Sequence, residues 1–534
     1  MAASPHDLIL PHTHILLRLP SGAPRILVIT PDTTISLGKF GSFPANALLY
    51  RPYNLTFDIL DAPQSGLRVV SAAEITRDVL GGEEAEAEAG EHYREEAEEA
   101  MRNNRETVDD PAAQKMSWEE IEEAKKLGSG SGRDLVQKLL SSHTALHQKT
   151  PFSLQKYTLR KTKKFLRRFT VLPLTVSALN NYLLEVKEPQ KILDLRDETL
   201  GLMLSLGNVH YGGRWLVVDE TGGLLVAAVA ERMGLLYHTP DPTTTAATES
   251  ADLADDTEPA DTTTEADSTP SARPPPRHPP APAPLKTANT ITLIHPNEQP
   301  NLSLLKYFSY DTNNPTPSHP LHTHLYTLNW LQVVSPQSDM TLQRPAEPPG
   351  LADLKGGKRG AYYRKLRRWQ HVKAIADDTA AGGFDGLLVA GYMELSGVLR
   401  WAVPLLRGSA QVVVYGSSRE PVVECADLYS SARKADWIAA GGGEGLDPTL
   451  LLAPTVMEVR ARRYQVLPGR THPVMTSRGG GEGCVLVGTR VVPVVGRVEA
   501  RGVWRGGKKR KEEEGEEGEE AGSPQKRMKG ERGG

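Results

Sequence analysis

Residues 212–234 read GGRWLVVDETGGLLVAAVAERMG. An apolar, partly β-branched run from Trp215 to Val218 meets Asp219, then the Gly222-Gly223 pair, then an alanine-rich apolar segment that reads as a buried helix. In doubly wound α/β folds the order strand, glycine turn, helix places a nucleotide-like ligand beyond the carboxyl end of the first strand. The expected fold class is therefore α/β, with a Rossmann-like domain over 170–505. Whether this copy of the turn still holds a ligand is the central question.

Working outward, TITLIH (290–295), FDGLLVAG (384–391) and AQVVVYG (410–416) read as further strands, and ELSGVLRWAVPLLRG (394–408) and CADLYSSARKADWI (425–438) as helices. LSLLKYFSY (302–310) and LHTHLYTLNWLQVV (321–334) continue the α/β pattern. Upstream, VSALNNYLLEV (176–186) and ETLGLMLSLGNV (198–209) look helical, separated by a strand-like KILDL (191–195). Between 238 and 286 the composition turns to Thr, Ala, Asp, Glu and Pro, too polar to offset ordering entropy, and reads as a disordered insertion inside the domain. Residues 1–80 carry short apolar runs punctuated by turn residues, as in HILLRLPSGAPRILVIT (14–30), and predict a small β-barrel or sandwich. An acidic disordered linker over 81–106 follows, then a helical connector over 107–169, in which Ser117 and Glu120 form a capping box.

The 534 residues suffice for two or three folded units, and no apolar run reaches the roughly 18 residues that a membrane-crossing helix needs. A soluble, intracellular protein without a membrane partner is expected. Cys425 and Cys484 lie outside any C-x-x-C pattern and read as reduced, buried thiols. The net charge of -4 hides a segregation, since acids concentrate in Glu83–Glu99, 249–266 and Glu512–Glu520. The first basic cluster, Lys156, Arg160, Lys161, Lys163, Lys164, Arg167 and Arg168, interleaves with Tyr157, Phe165 and Phe169. On a helix Lys156, Arg160, Lys163 and Arg167 fall near one face, which suits a phosphate backbone or an ordinary solvated surface. A second cluster, Lys355, Lys358, Arg359, Arg364, Lys365, Arg367 and Arg368, surrounds Tyr362, Tyr363 and Trp369, a pattern suited to single-stranded or loop RNA. The tail over 506–534 reads as disordered, and its KKRK (508–511) and KRMK (526–529) suggest nuclear import.

An S-adenosylmethionine methyltransferase built on this fold needs an open glycine turn, an acidic residue after the second strand, and polar groups after the fourth. Here Glu220 and Thr221 crowd the turn, His295 and Pro296 follow TITLI with only Glu298 nearby, and Gly391-Tyr392 follows FDGLLVA. No G-x-S-x-G elbow, complete P-loop or H-E-x-x-H is present, and the pairs His12/His14 and His322/His324, each read as sharing a strand face, lack further metal ligands. The motifs TISLGKFGSFPANALLYRPYNLTFDI, QKYTLRKTKKF, KILDLRDETLGLMLSLGNVHYGGRWLVVDETGGLLVAAVAERMG and YQVLPGRTHPVMTSRGGG resemble the non-catalytic subunit family of the tRNA adenine-58 N1-methyltransferase, from about Thr33 to Val492. The resemblance implies a β-barrel domain and a methyltransferase-type domain with a degenerate cofactor pocket around Asp219, Gly222 and Gly223. It also implies a catalytic partner that binds S-adenosylmethionine, a heterotetramer of two plus two, and tRNA gripped across both subunits. The family's basic segment maps onto Lys156, Arg160, Lys161, Lys163 and Lys164, whereas Arg364, Lys365, Arg367 and Arg368 rest on their own pattern. The rival reading is that this chain itself methylates RNA.

Overall fold

The computed structural model describes residues 7–60, 66–75, 115–117, 119–121, 132–143, 151–186, 189–237, 284–314, 318–351, 354, 356–462, 464–467, 470–474 and 483–494. The acidic stretch 81–106, most of the insertion, the glycines at 479–481 and the charged tail lie outside them.

The N-terminal region is β-rich. The apolar runs on either side of Ser21–Pro24 form a hairpin, β1 (His14–Arg18) and β2 (Pro24–Val28), with Leu16 opposite Ile26. A short ribbon, β3 (Thr34–Ser36) and β4 (Ser42–Pro44), precedes β5 (Thr56–Leu60) and β6 (Gly66–Val69). The sheet is completed from far along the chain by β7 (Arg168–Pro173), giving the antiparallel order β2-β1-β7-β5-β6. A boundary drawn at 169/170 thus runs through a central strand. Period-two alternation puts Ile15, Leu17, Phe57, Ile59, Phe169 and Val171 into one core, where Phe169 stacks on Phe43 at 4.9 Å and on Phe57 at 5.6 Å.

Between β6 and β7 lie α1 (Arg133–Ser141) and α2 (Pro151–Phe165). The Ser117 capping box is formed, with the Glu120 amide donating to Ser117 Oγ at 3.2 Å and the Ser117 amide to Glu120 Oε2 at 2.8 Å. Beyond β7 come α3 (Val176–Val186) and α4 (Asp197–Leu206). KILDL between them is not a strand. Pro189–Ile192 is a 3-10 turn, followed by Leu193 and Asp194 at φ 58° and 54°. The bend stays off the sheet and buries Ile192, Leu193 and Leu195 in the core.

The quoted stretch forms β8 (Arg214–Asp219) and α5 (Leu224–Arg232) as read. Then follow β9 (Thr290–His295), α6 (Leu321–His324), β10 (Leu325–Asn329), α7 (Trp330–Val334), the long α8 (Gly356–Ala381), β11 (Phe384–Ala390), α9 (Leu395–Ala402) and β12 (Leu406–Gly416). LSLLKYFSY contributes a 3-10 turn over Ser303–Phe308. The helix expected over 394–408 gives way near Pro404, which cannot donate to a helical ladder, and β12 begins at Leu406. CADLYSSARKADWI is split into the end of α10 (Arg419–Leu428) and α11 (Ser431–Ala439), because the Ser430 side chain caps the second helix on the Arg433 amide. β13 (Leu451–Met457), the hairpin β14 (Tyr464–Leu467) and β15 (Arg470–Pro473), and β16 (Cys484–Arg490) follow.

The seven-stranded sheet runs β10-β9-β8-β11-β12-β16-β13, parallel through β12 and closed by two antiparallel strands. The order reverses at β8, which pairs with β9 on one side and β11 on the other. That is the switch point where this architecture leaves a crevice. Leu224 to Ala230 of α5 are all buried, as an all-round apolar helix must be. Cys425 and Cys484 are free and buried, and burial pushes the Cys425 thiol up to about 12. No helix among the described residues is long and apolar enough to cross a membrane.

Candidate functional site

At the switch point the turn is held from inside. Asp219 is buried, its Oδ1 accepting from the Thr221 amide (2.7 Å) and hydroxyl (2.6 Å), and its Oδ2 from the Val226 amide (2.9 Å). Burial raises the pKa of this carboxyl against the pull of those donors. Gly222 and Gly223 take φ 76° and 94°, a region that β-carbons resist. A Cβ on Gly223 would stand 3.1 Å from Leu302 Cδ2 and 3.2 Å from Leu302 Cα. The 302–304 segment presses on the turn, and the Leu304 amide donates to the Gly222 carbonyl at 3.0 Å. Across the crevice, Glu220 Oε2 accepts from the backbone amides of Tyr392 and Met393, and a Cβ on Gly391 would meet that oxygen at 2.5 Å. The Tyr392 hydroxyl reaches the Gln190 carbonyl at 3.1 Å. Residues of later segments thus lie against the turn, Leu302 and Leu304 beside the glycines and Tyr392 and Met393 on Glu220.

The second basic cluster lies on α8 from Lys358 to Arg368, Lys355 being outside the described residues, and the last turns of the helix are pinned to the amino end of β8. Arg214 Nη2 pairs with Asp378 Oδ2 at 2.6 Å, and Arg214 Nη1 donates to the Gly382 carbonyl at 3.2 Å. The helix thus runs back along the sheet, and its basic part reaches the carboxyl ends of β9 and β10. There a cleft of about 390 Å³ is lined by His295 at the end of β9 and Glu298 after it, Thr327, Asn329 and Gln332 from β10 and α7, and Lys365, Arg368, Trp369 and Val372 from α8. The α8 residues fall at i, i+3, i+4 and i+7, one helix face. The structure divides four of the cluster's cations, all exposed: Lys365 and Arg368 line the cleft, whereas Arg364 and Arg367 do not. Trp369 Nε1 donates to the Leu342 carbonyl at 3.0 Å, which fixes the indole in the wall. His295 is buried, its pKa is lowered by that burial, and its Nδ1 has no hydrogen-bond partner.

The first cluster is on α2, as its spacing predicted, but it is shorter. Lys156, Arg160, Lys161, Lys163 and Lys164 share the helix, and Arg160, Lys163 and Lys164 are exposed. Lys161 Nζ sits 4.9 Å from the Tyr157 ring, and burial followed by the charge of Arg160 lowers its pKa. Arg167 is not on the helix. The helix stops at Phe165, Leu166 is buried, and the Arg167 carbonyl accepts from the Ile59 amide at 2.9 Å as the chain enters β7. Arg168 belongs to the sheet: its Nε and Nη2 hold the buried Asp58 at 2.7 and 3.2 Å, with Arg68 adding a 2.8 Å contact. Nor do the histidine pairs share strand faces. His12 occupies a turn at φ 59° before β1, and His322 and His324 lie on α6, with His324 Nδ1 donating to the Asn289 carbonyl at 2.9 Å.

A profile of the Gcd10p family matches residues 8–355. The tRNA (adenine(58)-N(1))-methyltransferase non-catalytic subunit of Aspergillus oryzae is 44% identical, over 93% of this chain and 94% of its own. The chain belongs to the Gcd10p family. A second member, the subunit of the same name from Debaryomyces hansenii, is 30% identical over 97% of this chain and 93% of its own. Among solved structures, a SAM-dependent O-methyltransferase from Thermotoga maritima aligns with 93% of this chain and 99% of its own at TM-score 0.41 and 8% identity. In this Gcd10p-family chain the features that sequence reasoning missed are contacts rather than residue types. Glu220 was legible as crowding the turn, but not its grip on Tyr392 and Met393. Leu302 against the turn and the cleft that His295 shares with α8 left no local signal, because each depends on segments that are remote in the chain.

Proposed function

We infer that this chain is the non-catalytic subunit of a tRNA (adenine-58, N1) methyltransferase, the role that the names of its curated relatives give to them. The observation that carries the non-catalytic part is the covered glycine turn. S-adenosylmethionine laid against it would have to displace the Leu302 backbone from Gly223 and the Glu220 carboxylate from two amides. The residues present do not fit that cofactor, and the pocket is degenerate. The cofactor belongs to a catalytic partner of similar fold, with two copies of each subunit in the assembly. The N-terminal sheet and its β3–β4 ribbon then make a small barrel-like module.

The mechanism is positional. Cations of α2 (Lys156, Arg160, Lys161, Lys163, Lys164) and of α8 (Arg364, Lys365, Arg367, Arg368) neutralise tRNA phosphates, and the rigid α/β domain holds the partner so that adenine 58, out of its stack, meets the partner's cofactor. The basic patches at 508–511 and 526–529 direct the assembly to the nucleus. Two measurements test the reading. Replacing Lys163 and Lys164 together by Glu should weaken tRNA binding to the assembled complex about tenfold, about 1.4 kcal/mol; unchanged affinity argues for a pure scaffold. Calorimetric titration of S-adenosylmethionine into the full chain should give no micromolar binding, and such binding would favour the rival reading of an active RNA methyltransferase.

A further inference from the structure

The cleft between β9, β10 and α8 is not the crevice at the glycine turn. It lies on the far side of β9, and its chemistry differs. One wall is cationic and aromatic, with Lys365, Arg368 and Trp369 on a single face of α8. The opposite wall is polar, with Thr327, Asn329, Gln332 and Thr341, and the lining also includes one carboxylate, Glu298. That wall is prebuilt: Asn329 Oδ1 accepts from the Gln332 backbone amide at 2.8 Å and so caps α7, the Asn329 backbone amide donates to Gln332 Oε1 at 3.0 Å, and Gln332 Nε2 donates to Thr341 Oγ1 at 2.9 Å. The floor holds His295, buried, with an Nδ1 that lacks a partner. Met340 is 81% exposed at the edge, an apolar surface left in water.

These features sort by the groups they would meet. Lys365 and Arg368 are exposed and have no carboxylate partner among the described residues, and no acid stands on α8 before Asp377; with Glu298 the one carboxylate in the lining against these two cations, an anion meets net positive charge on the α8 wall. Trp369, Met340 and Val372 offer an apolar face for a planar ring, and His295 Nδ1 an unused hydrogen-bonding atom. A volume of about 390 Å³ falls inside the roughly 300–1,000 Å³ usual for small-ligand sites. A phosphate joined to a planar heterocycle matches both halves. We propose that this cleft receives one unstacked nucleotide of the bound tRNA, its phosphate on Lys365 and Arg368 and its base against Trp369. The proposal rests on the tRNA-binding reading and adds to it a nucleotide-sized site, separate from general phosphate attraction.

The test uses equal charge loss on adjoining faces of one helix. The full chain assembled with its catalytic subunit is compared as wild type, as Lys365→Ala/Arg368→Ala and as Arg364→Ala/Arg367→Ala, in tRNA binding at fixed salt. The cleft pair should lose about tenfold more affinity than the flanking pair, about 1.4 kcal/mol. Ultraviolet cross-linking of unmodified tRNA should also join a single nucleotide to the peptide holding Met340 or Trp369, and the cleft pair should suppress that adduct. Equal losses, with no adduct at those peptides, overturn the proposal and leave phosphate attraction alone. Free adenosine monophosphate that binds wild type but not the cleft pair, again without an RNA adduct, gives the cleft to a mononucleotide and overturns the assignment to tRNA. If both pairs and Lys163→Glu/Lys164→Glu all leave tRNA affinity unchanged, the tRNA-binding reading itself fails, an outcome distinct from failure of the cleft alone.

Discussion

Replacing Asp219 by Ala separates a structural corner from a ligand site. The substitution leaves three buried donors without an acceptor: the Thr221 amide, the Thr221 hydroxyl and the Val226 amide. At about 1–3 kcal/mol for each orphaned group the loss spans about 3–9 kcal/mol. Burial already disfavours the Asp219 charge, so relief of that desolvation returns part of the loss and moves the expected value toward the lower end, about 3 kcal/mol. Asp219→Asn keeps one acceptor but turns an amide group toward either the Val226 amide or the Thr221 donors, and should fall between wild type and Asp219→Ala. Thermal unfolding of the assembled complex followed by intrinsic fluorescence reads the effect, which at this size amounts to several degrees. The affinity of the complex for S-adenosylmethionine, measured well below the transition, should stay unchanged. A variant with wild-type stability and weakened cofactor binding would refute the reasoning, since Asp219 would then be touching a ligand rather than holding the turn.

Gly223→Ala should destabilise by about 1–3 kcal/mol in the same melting experiment, because φ is 94° and the new Cβ meets the Leu302 backbone, which cannot rotate away as a side chain could. Arg168→Ala should cost about 1.5–3 kcal/mol by removing two charge-assisted hydrogen bonds from the buried Asp58 carboxylate and leaving Arg68 as its remaining arginine partner, and tRNA affinity of the folded fraction should hold; a selective loss of RNA binding would return Arg168 to the basic face. His295 supplies a pH test. Its folded pKa is lowered, so the unfolded chain binds the proton first as pH falls below about 6.5, and the stability held above that pH is lost as pH drops toward the folded value. Wild type should therefore lose more melting temperature between neutral and mildly acidic pH than His295→Gln, and equal slopes would contradict it.

Local pattern carried much of the fold. The strand, glycine turn and helix of 212–234, the strands at 290–295 and 384–390, the N-terminal hairpin and the Ser117 capping box were all legible, because each is set by neighbours within a few residues. Where the reading failed, distant partners overrode the pattern. KILDL has strand composition, yet the packing of Ile192, Leu193 and Leu195 draws it into a bend off the sheet. Arg167 and Arg168 continue the basic run in sequence, but β7 is claimed by the gap between β1 and β5, and Arg168 turns inward to Asp58.

By itself, the sequence determined the α/β class, the family, the position of the turn at Asp219-Gly222-Gly223 and the existence of two basic segments. Hydrophobic period, glycine placement and charge density are properties of consecutive residues. Only the tertiary structure decided what those features face. Leu302 lies 79 positions from Gly223 and Tyr392 lies 172 from Glu220, and the fold brings both against the turn. His295 and Arg368 line one cleft because α8 packs Ile375 and Ala376 against Tyr326 and Leu328 of β10 and is tied to β8 through Arg214. A crevice is closed or a cleft opened by surfaces that the chain brings together after every local preference has been satisfied, and no window of sequence contains both sides.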